Sequence, residues 1–273
     1  MAENRISASL APADKEAVMQ AIALRGYTYR LMERYPEALQ DFDRAIELNP
    51  KYNWAIALRG YTYRLMERYP EALEDFDRAI ELNPKSDWAI AGRGISYLIL
   101  KQYDKALVDF NRAIDLKSDS NRDVYLYDRA LAYLALNEQV KAQTDLALAI
   151  KLAKQNYEKD TKDWRNAFNL AIYYLAAQYT QPAKRFYSYV LSQGASFEFI
   201  REAIQVLNDF LTIFPNHVQA TPIRQLLQSS LNSDKSLDNL YQRLKFPCNT
   251  PNPQNHYSFA KSLKAALLGC GRV

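Results

Sequence analysis

Two apolar stripes at helical spacing run through residues 55–88. Ile56, Gly60 and Tyr63 share one face of a first segment, and Ala72, Phe76, Ala79 and Ile80 share one face of a second, at intervals of three and four. Small residues let two such helices approach closely, and the aromatic ones fill the remaining gap. Pro70 followed by Glu71 suits the first turn of the second helix, and Asn83-Pro84 suits its end; Pro36-Glu37 and Asn49-Pro50 repeat those signals one unit earlier. The pattern predicts paired, antiparallel helices.

Residues 21–54 and 55–88 are one 34-residue unit written twice, with three changes: Gln40 to Glu74, Tyr52 to Ser86 and Asn53 to Asp87. A helix pair of this size cannot bury its apolar faces alone, so each unit needs its neighbours. The marks of the first unit are Gly26, Tyr29, Ala38, Phe42 and Ala45, closed by Pro50; those of the second are Gly60, Tyr63, Ala72, Phe76, Ala79 and Pro84. A third unit supplies Gly94, Tyr97, Ala106, Phe110 and Ala113, with Ser118 where the proline stands. A fourth has Ala130, Tyr133, Ala142, Leu146 and Ala149, and a fifth Ala171, Tyr174, Ala183, Tyr187 and Val190. The tyrosine spacing grows from 34 to 36 and then 41, which makes residues 151–164 an overlong second helix or a loop.

These positions resemble the tetratricopeptide-repeat (TPR) family over about residues 21–193. The resemblance implies an all-α fold, a right-handed α-solenoid of antiparallel helix pairs with C-terminal capping helices. It also implies a non-catalytic scaffold that holds a peptide or helix of another protein in a concave groove lined by the first helices. Near-identical tandem units resemble those of bacterial members. The expected organisation is a helical lead-in over 1–20, about five repeats over 21–193 with the fourth and fifth degenerate, a helical cap over 194–246, and a Pro/Asn-rich link with a short terminal helix over 247–273.

One feature departs from the family pattern. Arg25, Arg59, Arg93 and Arg129 precede the glycine or its equivalent, and Asp41, Asp75, Asp109 and Asp145 stand beside the aromatic position of the second helix. In the fifth unit both charges vanish together, giving Leu170 and Phe186. The joint loss predicts partly buried ion pairs between packed helices, within a unit or across to its neighbour.

The expected groove face is Tyr27 and Arg30, then Trp54, Tyr61 and Arg64, then Trp88, Ile95 and Leu98, continuing to Tyr127 and Leu131 and to Phe168, Ile172 and Leu175. Its first half is rich in Tyr, Trp and Arg, the side chains most enriched at binding hot spots, and suits an acidic, aromatic segment. The second half is almost wholly apolar, so either a partner fills it or the C-terminal helices fold against it. The stretch 197–214 has helical periodicity and ends at Pro215. The carboxylate-clamp subset of the family binds acidic tails through Lys, Arg and Asn; here Ala23, Tyr27, Leu58, Trp88 and Gly92 stand at those sites, which excludes that clamp.

Charge alters this picture little. Residues 1–150 hold 20 Lys+Arg against 23 Asp+Glu, and residues 151–273 hold 15 against 8, so the second half is basic. It contains no dense Lys/Arg run of the kind that tracks phosphates, which argues against nucleic acid, although a basic C-terminal effector region contacting nucleic acid or an acidic partner is the competing reading. With no long apolar run and no signal-peptide pattern, the expectation is a cytoplasmic, non-membrane protein. His217 and His256 are the only histidines, and Cys248 and Cys270 the only cysteines. No phosphate loop, nucleophile elbow or zinc-binding pair occurs, so no enzyme activity, cofactor or metal is expected.

Overall fold

The computed structural model describes residues 12–116 and 122–233. Twelve helices fill them, with no strand among the described residues: α1 (Pro12–Leu31), α2 (Tyr35–Leu48), α3 (Asn53–Leu65), α4 (Tyr69–Leu82), α5 (Asp87–Ile99), α6 (Tyr103–Leu116), α7 (Arg122–Ala135), α8 (Gln139–Lys159), α9 (Trp164–Ala176), α10 (Thr180–Ser192), α11 (Phe197–Ile213) and α12 (Ala220–Ser233). The chain forms two compact units, one holding α1 to α4 and the other α5 to α12. Ser118, the end of the expected cap beyond residue 233, the Pro/Asn-rich link with its terminal helix, His256 and both cysteines lie outside the described residues.

In the first unit α1 pairs with α2 and α3 with α4, and α2 packs on α3. Phe42 and Phe76 are fully buried, as are Ala38, Ala45, Ala72 and Ala79 around them. The glycines opposite are there for space: a Cβ on Gly26 would stand 2.9 Å from the Phe42 ring, and one on Gly60 3.1 Å from the Asp75 Cβ. In the second unit the pairs are α5/α6, α7/α8 and α9/α10, with α6 on α7 and α8 on α9. Gly94 repeats the tight fit, 2.7 Å from the Phe110 ring. Where alanines replace the glycine, at Ala130 and Ala171, the facing residues are Leu146 and Tyr187, and all four are buried. The 151–164 stretch is the tail of a 21-residue α8, which carries Tyr157 to the Phe186 ring at 5.6 Å.

The turn inside each pair repeats five times. Glu33, Glu67, Lys101, Asn137 and Gln178 adopt φ of 60 to 66°. Around the first, the Glu33 N–H donates to the Arg30 carbonyl at 3.0 Å and the Arg34 N–H to the Tyr29 carbonyl at 2.9 Å, which satisfies the last carbonyls of α1. This left-handed position usually takes glycine, because a Cβ costs energy there.

The Arg and Asp positions meet inside each pair. Arg25 donates to Asp41 at 2.6 and 2.8 Å, Arg59 to Asp75 at 2.6 and 2.7 Å, Arg93 to Asp109 at 2.6 and 2.8 Å, and Arg129 to Asp145 at 2.7 and 2.8 Å. Each is a bidentate fork, the strongest form of this contact. The aspartates are buried, whereas the Arg25 side chain is 47% exposed at the rim of α1. Arg59 also reaches back to Asp43 at 2.7 Å, so one guanidinium ties two successive pairs. These two carboxylates hold Arg59 firmly protonated, while burial pushes the Asp75 carboxyl upward against the pull of Arg59. Two further ties had no expectation attached: Arg78 donates to the Pro50 carbonyl at 2.7 Å, and Arg112 to the Pro84 carbonyl at 2.6 Å.

Candidate partner-binding face

The first helices of the first unit, α1 and α3, bring together an aromatic cluster. The Tyr27 and Trp54 rings lie 6.4 Å apart and Tyr52, at the start of α3, lies 6.0 Å from Trp54. The Arg30 guanidinium stacks over Tyr27 at 4.9 Å. Tyr27, Arg30, Tyr52 and Trp54 all keep part of their surface in contact with solvent. Burial, reinforced by the charge of Glu16, pushes the Tyr52 hydroxyl up to about 12. Tyr61 and Arg64 are placed differently. Tyr61 turns its ring edge-on to Phe76 at 5.1 Å and 87°, and the Arg64 guanidinium lies 5.5 Å from the Tyr61 ring with only 7% of the residue exposed. Arg64 is buried, whereas Tyr61, like Tyr27 and Trp54, is half-buried.

In the second unit the first helices are α5, α7 and α9, and α11 lies against all three. Leu98, Tyr127 and Leu131 are 1, 4 and 3% exposed. Phe168, Ile172 and Leu175 on α9 are buried as well. Trp88 and Ile95, on α5, stay partly exposed. Of the two expectations for the apolar half of the groove, the structure shows the chain's own helix against it. The buried positions of α11 are Ile200, Ala203, Ile204, Leu207 and Phe210.

Polar ties hold this second face together, and the sequence reading missed them. The Tyr173 hydroxyl on α9 donates to the buried Asp123 carboxylate on α7 at 3.1 Å, and Tyr125 donates to Asp87 at 2.6 Å. Burial pushes the Asp123 carboxyl up and the Tyr127 and Tyr173 hydroxyls well up, so both phenols stay protonated and Tyr173 remains a donor to Asp123. These partners lie 50 and 38 positions apart, and no local spacing points to them. Among the described residues no three His, Cys, Asp or Glu side chains sit close enough to hold a metal, and no helix is long and apolar enough to cross a membrane.

Comparison with known proteins agrees with this geometry. A family model for the tetratricopeptide repeat matches residues 20–52 and 54–86, and a second model of the same repeat matches 90–120. A search of curated proteins gave no match. Among solved structures, pilF of Pseudomonas aeruginosa is 16% identical, with a TM-score of 0.50 over 80% of this chain and 99% of that one. MamA is 16% identical, with a TM-score of 0.39 over 66% of this chain and 96% of that one. The first TPR of Spaghetti (RPAP3), bound to an HSP90 peptide, is 20% identical, with a TM-score of 0.38 over 47% of this chain and 93% of that one. For pilF, at this identity, the likeness is one of fold alone. The repeat matches and the stacked helix pairs together show that the chain carries tetratricopeptide repeats, the building unit of protein-interaction scaffolds that are in general non-catalytic.

Proposed function

We propose that this protein is a non-catalytic scaffold that binds a peptide or helix of a partner protein on the first-helix face of α1 and α3, through Tyr27, Arg30 and Trp54, with Tyr61 and Arg64 as the firmer floor beneath. The observation that carries the reading is the aromatic and guanidinium cluster, which remains partly exposed, whereas Leu98, Leu131 and Ile172 at equivalent positions in the second unit are buried. Aromatic rings with an adjacent arginine supply large, desolvatable contact area at low entropic cost. An acidic, aromatic segment complements them: its rings extend the Tyr27–Trp54 stack and its carboxylates meet Arg30. Trp88 and Ile95 offer a smaller, part-exposed surface of their own on α5.

The test is an array of acidic, aromatic peptides probed with the full chain. Binders selected this way lose about tenfold in affinity, or roughly 1.4 kcal/mol, against Tyr27→Ala combined with Arg30→Ala. A double variant that melts like the parent and binds every selected peptide equally well removes the site.

A further inference from the structure

The C-terminal helix α11 relates to α5, α7 and α9 as a bound ligand does to its receptor. It packs on α12, which follows it, and it also touches one helix of each of three successive pairs, α5, α7 and α9. Its buried residues Ile200, Ala203, Ile204, Leu207 and Phe210 follow the three-and-four spacing of a helix laid in a groove. Its polar attachments stand at the solvent edge: Arg165 on α9 meets Glu202 at 3.1 Å and stacks on Phe199 at 5.2 Å. The chain enters α11 through Gly194, which has φ of +74° and nothing within 4 Å of the place a Cβ would occupy.

The fit is also incomplete. The Tyr127 hydroxyl is buried on the covered face with no hydrogen-bond partner, and so is Nε2 of His217 in the turn after α11. A cleft of about 480 Å³ opens where α11 ends, lined by Leu134, Leu146, Ala176, Phe210, Phe214 and His217 among others. Unsatisfied polar atoms and open volume cost stability at this contact.

We infer that the face formed by α5, α7 and α9 is a second, helix-specific docking surface held shut in cis by α11, and that its partner in trans is an amphipathic helix repeating the α11 pattern. That pattern is an aliphatic stripe over three turns ending in an aromatic ring, with an acid near its start to meet Arg165. The occupant seated on the face in this structure is the argument for that chemistry. This surface is separate from the Tyr27–Trp54 face, and it stands or falls independently of it.

The probe is a labelled peptide of residues 196–214, and the receptor is the full chain. Parent protein binds it weakly, because α11 occupies the site and only the open fraction is competent. Ile204→Asp with Leu207→Asp in the full chain releases α11 and raises affinity for the probe by at least about tenfold. The same probe carrying both substitutions binds neither protein. Amide hydrogen exchange checks the receptor: α7 and α9 stay protected in the double variant. A double variant with protected α9 that binds the probe no better than the parent overturns the inference. If the double variant loses protection in α9, the parent decides alone. Exchange of α11 as its own unit, at least about tenfold faster than α9, supports the docked-helix reading, and equal protection of the two helices overturns it.

Discussion

The α1–α3 face and the α5–α7–α9 face are built from the same repeat, yet one leaves a Tyr–Trp–Arg cluster partly in water and the other is filled by α11. What the repeats share is their interior. The Arg–Asp fork has the same reach in both units, 2.6 Å at Asp75 and 2.6 Å at Asp109, and the Phe ring fills the same space beside a glycine. What they do not share is the side-chain set on the first helix. Tyr27 and Trp54 have a polar edge and tolerate solvent, whereas Leu131, Ile172 and Leu175 have none and need a cover. The difference teaches that a conserved interior geometry leaves the binding character of each face to a few outward positions.

The largest test concerns the shared interior. Asp75→Ala and Asp109→Ala each remove the buried carboxylate of a bidentate fork and are expected to destabilise by about 3–5 kcal/mol, measured by denaturant unfolding. If either melts like the parent, or if the two differ by more than about 1 kcal/mol, the equivalence of the two interiors fails. The next test separates the faces. Leu131→Ala under α11 should cost about 2–4 kcal/mol, while Tyr27→Ala on the open face should cost about 1 kcal/mol or less. Equal losses would mean that the α1–α3 cluster is core and not a binding face.

Smaller effects probe the turns and the joint of α11. Glu67→Gly in the first unit and Lys101→Gly in the second relieve the same left-handed backbone and should each stabilise by about 0.5 kcal/mol, seen as a small rise in Tm. A loss at either position would show that its side chain contributes more than the strain it imposes. The smallest effect is titration of His217. Its ring is held below the ordinary histidine range by burial, and its Nδ1 accepts from the Ala220 N–H at 3.2 Å at the start of α12. The unfolded chain therefore binds a proton at higher pH than the folded one, and stability falls as pH drops below about 6.5 toward the folded value. His217→Ala should flatten that slope, and an unchanged slope in the variant would assign it to other groups.

The fold was legible because its information is periodic. Phe76, Ala72 and Gly60 recur every 34 residues, and the matched loss of Arg and Asp at Leu170 and Phe186 exposed the fork before any geometry was known. The candidate face was legible in composition but not in exposure. Arg64 and Arg30 occupy equivalent positions in their repeats, yet Arg64 is buried and Arg30 is half-buried, because the neighbours that cover a side chain act in three dimensions. The same holds for the cover. The periodicity of 197–214 announced a helix, but which of the three first helices it would meet depends on the path through Gly194. The Tyr173–Asp123 bond joins residues 50 apart with no repeat behind them, so nothing in the pattern could point to it.

Arg78 finds the Pro50 carbonyl, and Arg112 the Pro84 carbonyl, across the same offset of 28 residues. A seam sealed by a main-chain acceptor does not depend on which copy of the unit lies upstream. A further in-frame copy of residues 21–54 would meet a ready joint on either side, so a slip during replication of this gene can lengthen the array by one whole repeat and still yield a chain that folds.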